Sequence, residues 1–364
     1  MFFQISPPSS FNPSTALHKN IALAFLFFSL FFVCRVEASH IAGADISYTS
    51  LGGLSYEVNL TLYRDCSSTE SMPGTYSVTA RTTGSGSGYY FNLIVSHMGL
   101  EEITAACPTA PSACSGGNSP GIEKHNYTGT ITLPEARNDW EFSFFTCCRT
   151  NQISTASEGG MVVKATLDNV NAPGNSSPAF DNPPVLLLCA NQTFYYNHGV
   201  VDPDGNRLTY ELVNPESFPG QNLQYYPPYS ATNPISSNPP IFLDSLTGEM
   251  IINPNQQQVT VMAMRVNEYD ANDSLIGSVV RDMQVWVISC SNQLPQSSGF
   301  DNTPDYTIEV APGGNLDTDI FTSDSDAADS VTLSFLSTFS GATTSVTSGA
   351  YESGNIQWLS LIHI

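Results

Sequence analysis

Alternation of apolar and polar positions recurs along most of the chain. The segment YEVNLTLYRDC, residues 56–66, places Tyr, Val, Leu and Leu at every second position, with polar residues between them. QVTVMAMRV (258–266) and MQVWVISC (283–290) repeat this period of two. Such alternation is typical of a strand that buries one face. Helical periodicity is scarce, and Gly, Pro, Asn and Ser separate the short strands. The pattern therefore predicts an all-β chain built from β-sandwiches.

The first 38 residues follow a different pattern. An unbroken apolar run, IALAFLFFSLFFV, covers 21–33 and leads to VEA at 36–38. The run is too short for a spanning helix, and the small residues that follow it fit a signal-peptidase site. We predict a signal peptide at 1–38 and a mature chain that is secreted or displayed at the cell surface. We expect no transmembrane segment in the mature chain.

An internal repeat divides the rest of the chain. SSPAFDNPP (176–184) returns as SSGFDNTPD (297–305), and each copy is followed by an acidic turn and an alternating segment. DPDGNRLTYEL starts at Asp202, and DSDAADSVTLSF starts at Asp324. Two features in the same order at nearly the same spacing indicate repeated domains. We predict an N-terminal sandwich at 39–176, a second sandwich at 177–292 and a truncated copy of the second at 293–364.

The acidic composition limits the possible partners. The chain has 33 Asp and Glu against 11 Lys and Arg, for a formal charge of −22. Such a surface repels phosphate backbones and anionic lipids. We therefore expect the chain to bind neither nucleic acid nor a membrane surface. The acidic surface is compatible with an extracellular protein that recruits divalent cations.

Seven cysteines follow the signal, and in an exported chain they predict disulfides. We expect Cys189 to pair with Cys290, because they flank one predicted domain, and Cys107 with Cys114 across a short loop. The adjacent Cys147 and Cys148 would point to opposite faces of a strand. The remaining candidate is Cys66. Metal binding by these cysteines is disfavoured, because CxxC pairs and neighbouring histidines are absent.

The DPDGN turn does not fit an EF-hand, because Gly205 falls at position 4 and Val213 at position 12 of such a loop. DPDGNRLTYEL followed by FLDSLTGEMIINP (242–254) is instead similar to paired motifs of cadherin-like and immunoglobulin-like repeats. This resemblance implies tandem sandwiches of that type. It also implies that Asp202 and Asp204 bind calcium between domains. Additional candidate ligands are Asn206, Glu268, Asp270 and Asp181, and in the second copy Asp324, Asp326 and Asp329. The alternative is a plain turn that Asp and Gly form without a metal.

The N-terminal region carries a second resemblance. SHIAGADISYTSLGGLSYEVNLTLYRDC, FSFFTCCRTNQIST and SPAFDNPPVLLLCANQTF resemble the start of gliding-motility-associated surface proteins, which are exported by the type IX secretion system. The resemblance implies an adhesin-like surface protein. The match covers residues 39 to about 212.

Motifs for catalysis are missing from the sequence. There is no HExxH, P-loop or dinucleotide fingerprint, GSGSG (84–88) has Gly where a nucleophile elbow needs Ser, and the histidines lack ligand spacing. We therefore predict a protein that is not an enzyme. Two alternatives stay open, an accessory region of an extracellular enzyme and a structural spacer.

One long segment is a candidate binding loop. FPGQNLQYYPPYSATNPISSNPPIF (218–242) contains Tyr225, Tyr226 and Tyr229, whose rings could stack on an extracellular glycan or a protein surface. The alternative is that these tyrosines cover one end of the sandwich.

Overall fold

A computed structural model of the chain describes residues 41–67, 71–84, 88–103, 111–118, 121–147, 149, 152–184, 187–293, 295–303, 308, 310–311, 313–326, 329–333, 335 and 341–359. The predicted signal peptide, Cys107 and Cys148 lie outside these residues. Among the described residues there is no α-helix, and the all-β fold class is confirmed.

Strands and two short 3-10 helices make up the regular structure of the described residues. The strands are β1 (Ile41–Gly52), β2 (Ser55–Asp65), β3 (Thr75–Thr82), β4 (Tyr90–Glu102), β5 (Ile122–Thr132), β6 (Trp140–Thr146), β7 (Met161–Leu167), β8 (Ala179–Phe180), β9 (Leu187–Cys189), β10 (Phe194–Asn197), β11 (Val200–Val201), β12 (Arg207–Val213), β13 (Glu216–Phe218), β14 (Gln221–Asn222), β15 (Phe242–Leu243), β16 (Glu249–Ile252), β17 (Gln258–Tyr269), β18 (Leu275–Ile288), β19 (Gln296–Ser297), β20 (Asn315–Ser323), β21 (Thr343–Thr347) and β22 (Ser353–Leu359). The 3-10 helices are Ala113–Ser115 and Phe300–Asn302.

The predicted alternation of buried and exposed positions is present in β2 but not in β17 and β18, whose two faces are both mostly buried. In β2, the apolar side chains at 56, 58, 60 and 62 are fully buried, and the polar side chains between them lie on the other face. Gly52 and Gly53 take positive φ angles of 97° and 61°, which a residue with a Cβ rarely adopts, and they close the β1–β2 hairpin. The sequence thus sets both the face that β2 buries and the position of this turn.

The largest sheet has the order β1-β2-β5-β4-β3-β6-β7-β18-β17-β12, and β9 also pairs with β18. Strand β18 has β17 along one edge. Along its other edge it pairs in succession with β7 at Gly277–Val279, with β1 at Asp282–Met283 and with β9 at Trp286–Ile288. The boundary predicted at residues 176 and 177 therefore does not separate two sheets, because strands from both sides of it share one.

Buried ion pairs join the same two regions. Arg149 donates both terminal nitrogens to Asp282 at 2.6 Å, and both side chains are fully buried. Arg281, also fully buried, donates to Asp45 at 2.9 and 3.0 Å. Each pair links a residue before position 176 to strand β18. Removing one member of a buried pair leaves an uncompensated charge, so these pairs make the two regions depend on each other.

The remaining sheets are small. They have the orders β10-β16-β15, β11-β8, β13-β14 and β19-β20-β22-β21. The last of these holds the predicted second copy. Its outer strand β21 is exposed at every position.

The disulfides confirm one prediction and correct another. Cys189 is bonded to Cys290, as predicted. Cys114 is bonded to Cys66 rather than to Cys107. The reason is the pairing of β2 with β5, which extends to Asp65 and Ile122 and brings the end of β2 beside the loop that precedes β5. Cys147 is also disulfide-bonded.

Candidate functional site

The first acidic turn connects β11 to β12 and closes on itself. The Asp202 Oδ1 atom accepts hydrogen bonds from the backbone N–H groups of Asp204 at 3.0 Å and Asn206 at 2.9 Å. Gly205 has a φ of 76°, in the left-handed region that favours glycine. An Asp side chain that caps its own backbone in this way needs no metal. A plain turn without a metal therefore explains the hydrogen bonds of the Asp202 Oδ1 atom.

The second aspartate of the turn holds a distant segment. The Asp204 Oδ2 atom accepts a hydrogen bond of 2.7 Å from the backbone N–H of Ser176. Ser176 opens the repeated SSPAFDNPP segment that leads into this part of the chain. The carboxylate of Asp204 thus fixes the backbone of the linker to the turn.

Behind the turn lies Glu268, a fully buried glutamate of β17. Its Oε1 accepts from the Asn206 side-chain amide at 2.8 Å, and its Oε2 accepts from that of Asn175 at 2.9 Å. The pKa of Glu268 is raised to about 7, chiefly by burial and also by the neighbouring Asp202 carboxylate, against the lowering effect of the two amides. The Asp202 Oδ2 atom is buried and has no hydrogen-bond partner.

These groups form a buried polar cluster, which we call the Glu268 cluster: Asp202, Glu268, Asn175 and Asn206. Ca²⁺ prefers carboxylate and amide carbonyl oxygens. The two amides turn their N–H groups toward Glu268, so only the carboxylates of Asp202 and Glu268 have the chemistry of such a site, and the buried Asp202 Oδ2 atom has no hydrogen-bond partner.

Two of the predicted ligands lie apart from this cluster. The Asp270 Oδ1 atom accepts from the N–H groups of Asn272 at 2.9 Å and Ser274 at 2.8 Å, so it caps the β17–β18 hairpin. These hydrogen bonds, chiefly that from Ser274, lower the pKa of Asp270. Asp181 is exposed and contributes its backbone N–H to the Gly199 carbonyl.

The second acidic turn repeats the backbone contacts of the first. Asp324 Oδ1 accepts from the N–H of Asp326 at 2.8 Å, and Asp326 Oδ2 accepts from the N–H of Gln293 at 2.6 Å. Gln293 precedes the second copy of the repeated segment. One carboxylate oxygen each from Asp324, Asp326 and Asp329 lies within 4.8 Å of the others. The three predicted ligands of this copy are therefore brought together.

The three tyrosines of the long loop have different environments. Tyr225 donates its hydroxyl to the Val261 carbonyl at 2.7 Å and packs against the buried Ala156 and Leu223. It covers the sheet, as the alternative interpretation held, and is not free to stack on a ligand. Tyr229 is half-buried and accepts from Gln256, whereas Tyr226 is 51 % exposed.

A histidine chain was missed by sequence reasoning. His97 Nε2 lies 3.1 Å from His125 Nδ1, and His125 Nε2 lies 3.0 Å from the Glu123 carboxylate, which also accepts from Arg64 at 2.6 Å. Burial lowers the pKa of His125, although Glu123 opposes this effect. The four residues come from β2, β4 and β5, so the strand pairing, rather than spacing along the chain, assembles them. Asn175 was missed for the same reason.

Comparison with models of known protein families gave no match, and comparison with curated protein sequences gave none. Within the part of the chain that the structure describes, no helix has the length and apolar character needed to cross a membrane.

Proposed function

We propose that this chain is part of an extracellular, adhesin-like protein of the kind found on the surface of gliding bacteria, and that it binds through its β-sandwich modules. The observation that carries the proposal is the repeated linker contact. In both copies an aspartate of the acidic turn binds the backbone that leads into the module. In the second copy this contact fixes the chain between the large sheet and the four-stranded sheet, and a fixed connection of that kind suits a protein that presents binding surfaces away from a cell.

Two further observations support this proposal. The disulfides Cys66–Cys114 and Cys189–Cys290 are typical of proteins that fold in an oxidising compartment. The formal charge of −22 keeps an exposed protein soluble and disfavours anionic partners. The partner classes proposed are an extracellular glycan or a protein surface.

The test is binding by the purified chain of residues 39–364 to a glycan array and to intact cells. Saturable binding supports the adhesin-like function. Absence of binding to both, by a chain that melts cooperatively, contradicts it and favours a spacer, for which the same linker contacts are sufficient.

We further propose that calcium stabilises the two turns. The ligands would be Asp202 and Glu268 in the first copy and Asp324, Asp326 and Asp329 in the second. Melting curves in EDTA and in millimolar CaCl₂ test this, with MgCl₂ as the control because Mg²⁺ demands a smaller octahedral site. A higher Tm in calcium alone supports the proposal, and identical curves contradict it. Asp324→Asn combined with Asp326→Asn should reduce the calcium effect, whereas Asp270→Asn, the matched control, should leave it unchanged.

A further inference from the structure

Exposed apolar side chains form a row across the small sheet β10-β16-β15. Tyr195 of β10 pairs with Ile251 of β16, and Phe242 of β15 pairs with the same Ile251. Tyr195 is 71 % exposed and Phe242 is 52 % exposed, and Ile251 is half-buried between them. We call Tyr195, Ile251 and Phe242 the aromatic row.

The strand pattern explains why these side chains face solvent. Neighbouring positions on β16, Met250 and Ile252, are almost fully buried and pack into the main core. Because successive side chains of a strand point to opposite faces, Ile251 and its cross-strand partners must lie on the outer face. Folding therefore places two large rings in water, although the burial of aromatic surface is favourable.

The geometry of the row favours a particular class of ligand. Adjacent strands lie about 4.8 Å apart, so the backbones that carry Tyr195 and Phe242 are separated by about 9.6 Å. This separation is close to twice the length of one pyranose unit, so it suits two sugars of an extended chain with one sugar between them, each of which packs an apolar C–H face on an aromatic ring. Binding sites for small ligands combine such apolar surfaces with a few polar groups that set orientation.

Polar groups of that kind lie beside the row. Asn197 and Glu249 form the next outward-facing pair across β10 and β16. The exposed carboxylate of Glu249 can accept hydrogen bonds from sugar hydroxyls, and it repels anionic ligands. A neutral carbohydrate fits this combination better than an acidic one.

Size argues against a protein partner. A stable protein interface buries about 800 Å² on each side and uses about 20 residues or more. The aromatic row comprises three side chains, which is enough for a short stretch of sugars. A second copy of the chain, with its formal charge of −22, would in addition be repelled.

We propose that the aromatic row binds the apolar faces of a neutral, extended polysaccharide, with Glu249 accepting hydrogen bonds from its hydroxyl groups. This inference rests on the proposed binding function and names its ligand class and its site. The row is distinct from the loop of residues 218–242 except at Phe242, where that loop enters β15.

The experiment is affinity electrophoresis of residues 39–364 in gels containing hydroxyethyl cellulose, xylan, galactomannan or laminarin, with alginate as the anionic control. At least one neutral polysaccharide should retard the chain. Tyr195→Ala and Phe242→Ala should each weaken the interaction on the order of tenfold, because each removes one stacking ring. Phe242→Trp should preserve or strengthen it. Tyr90→Ala is the matched control, since Tyr90 is 65 % exposed on β4 of the large sheet and should have no effect.

Two results would overturn the proposal: no retardation by any neutral polysaccharide, or a Tyr195→Ala/Phe242→Ala double variant that binds as well as wild type. Melting curves establish that the variants fold. Cell binding by the double variant separates this inference from the proposed function. If the double variant still binds cells as wild type does, the aromatic row is not the site but the adhesin-like function stands. If the wild-type chain binds neither cells nor glycans, both proposals fail.

Discussion

The acidic turn at Asp202 and Asp204 and the one at Asp324 and Asp326 each hold the chain that leads into their own module. In both, the first aspartate accepts from the N–H of the second, and the second accepts from a linker N–H at 2.7 or 2.6 Å. The additional carboxylate beside each turn comes from a different part of the chain. The first turn faces Glu268, a buried residue of a distant strand, whereas the second has Asp329 close by in the same segment. The backbone contact thus follows from the repeated sequence, and the rest of each site depends on what packs behind it.

The surroundings of the two turns explain this difference. In the first copy, β17 and β18 belong to the large sheet and bury Glu268 in its core, and the Cys189–Cys290 disulfide closes the segment. In the second copy the described strands form a sheet of four, and the sequence after Cys290 contains no cysteine. We therefore expect the first copy to respond strongly to changes in covalent closure and pH, and the second to respond weakly.

The largest effect should come from the Cys189–Cys290 disulfide. Its sequence separation of 101 residues implies that Cys189→Ser/Cys290→Ser lowers the free energy of unfolding by about 4–5 kcal/mol, because an open chain gains more entropy on unfolding. Urea unfolding measures this loss. The native Cys66–Cys114 disulfide closes a separation of 48, so the matched variant Cys66→Ser/Cys114→Ser should cost slightly less, about 4 kcal/mol. Hydrogen exchange in β20 and β22 should not change. Faster exchange there would show that the stability of the second copy depends on the disulfide of the first.

A second prediction concerns the buried charge of Glu268. Its pKa is raised from 4.5 to about 7 in the folded state, so the folded protein binds the proton more tightly than the unfolded chain. The stability that this group contributes is fully present below its ordinary pKa and is lost as pH rises through about 7. In EDTA, wild type should lose on the order of 2–3 kcal/mol relative to Glu268→Gln between pH 5 and pH 8.

The comparison with Glu268→Gln is necessary because His198 has the opposite dependence. Burial, together with the nearby Arg281 charge, lowers the pKa of His198, so its contribution to stability is lost as pH falls below its ordinary value of 6.5. Urea unfolding of both proteins at several pH values isolates the Glu268 contribution. A wild-type minus variant difference that does not vary with pH would contradict the buried, raised-pKa environment of Glu268.

A smaller effect is expected from the two linker contacts. Asp204→Ala and Asp326→Ala each remove a carboxylate acceptor, at a cost of about 1 kcal/mol because both sites are partly solvated. Amide hydrogen exchange at Ser176 and at Gln293, respectively, should become faster. Asp204→Asn and Asp326→Asn keep an acceptor oxygen and should retain most of the protection. Equal exchange in the Ala and Asn variants would mean that the contact does not hold the linker.

The smallest effect on stability is expected at Tyr226, in the long loop of the first copy. Tyr226→Ala should change the free energy of unfolding by less than about 0.5 kcal/mol, because the ring is largely exposed. Tyr225→Phe should cost about 1 kcal/mol through loss of the hydrogen bond to Val261. Thermal melting compares the two variants. Loss of ligand binding in Tyr226→Ala, without loss of stability, would support the loop as a binding site.

Local patterns in the sequence predicted a large part of this structure. Alternation in β2 predicted a strand and its buried face, because the side chains of a strand alternate between faces. The same pattern located β17 and β18 as strands but not their burial, since both of their faces are covered. The Asp-x-Asp turns were recognisable since a short polar side chain, helped in the first copy by Gly205, closes a turn within a few residues. The Cys189–Cys290 pairing followed from its position around a repeat.

Only the tertiary structure showed which residues from distant parts of the chain come into contact. The sequence treats residues 39–176 and 177–292 as separate units, yet β18 pairs with β1 and β7, and Arg149 binds Asp282. The Cys66–Cys114 bond, the His97–His125 contact and the Glu268 cluster have the same origin. The sequence by itself determined where strands form, which face of β2 is buried and how each acidic turn closes, since those depend on neighbours along the chain. Only the folded sheet decided which acids share a site, because strand register joins residues that no spacing in the sequence connects.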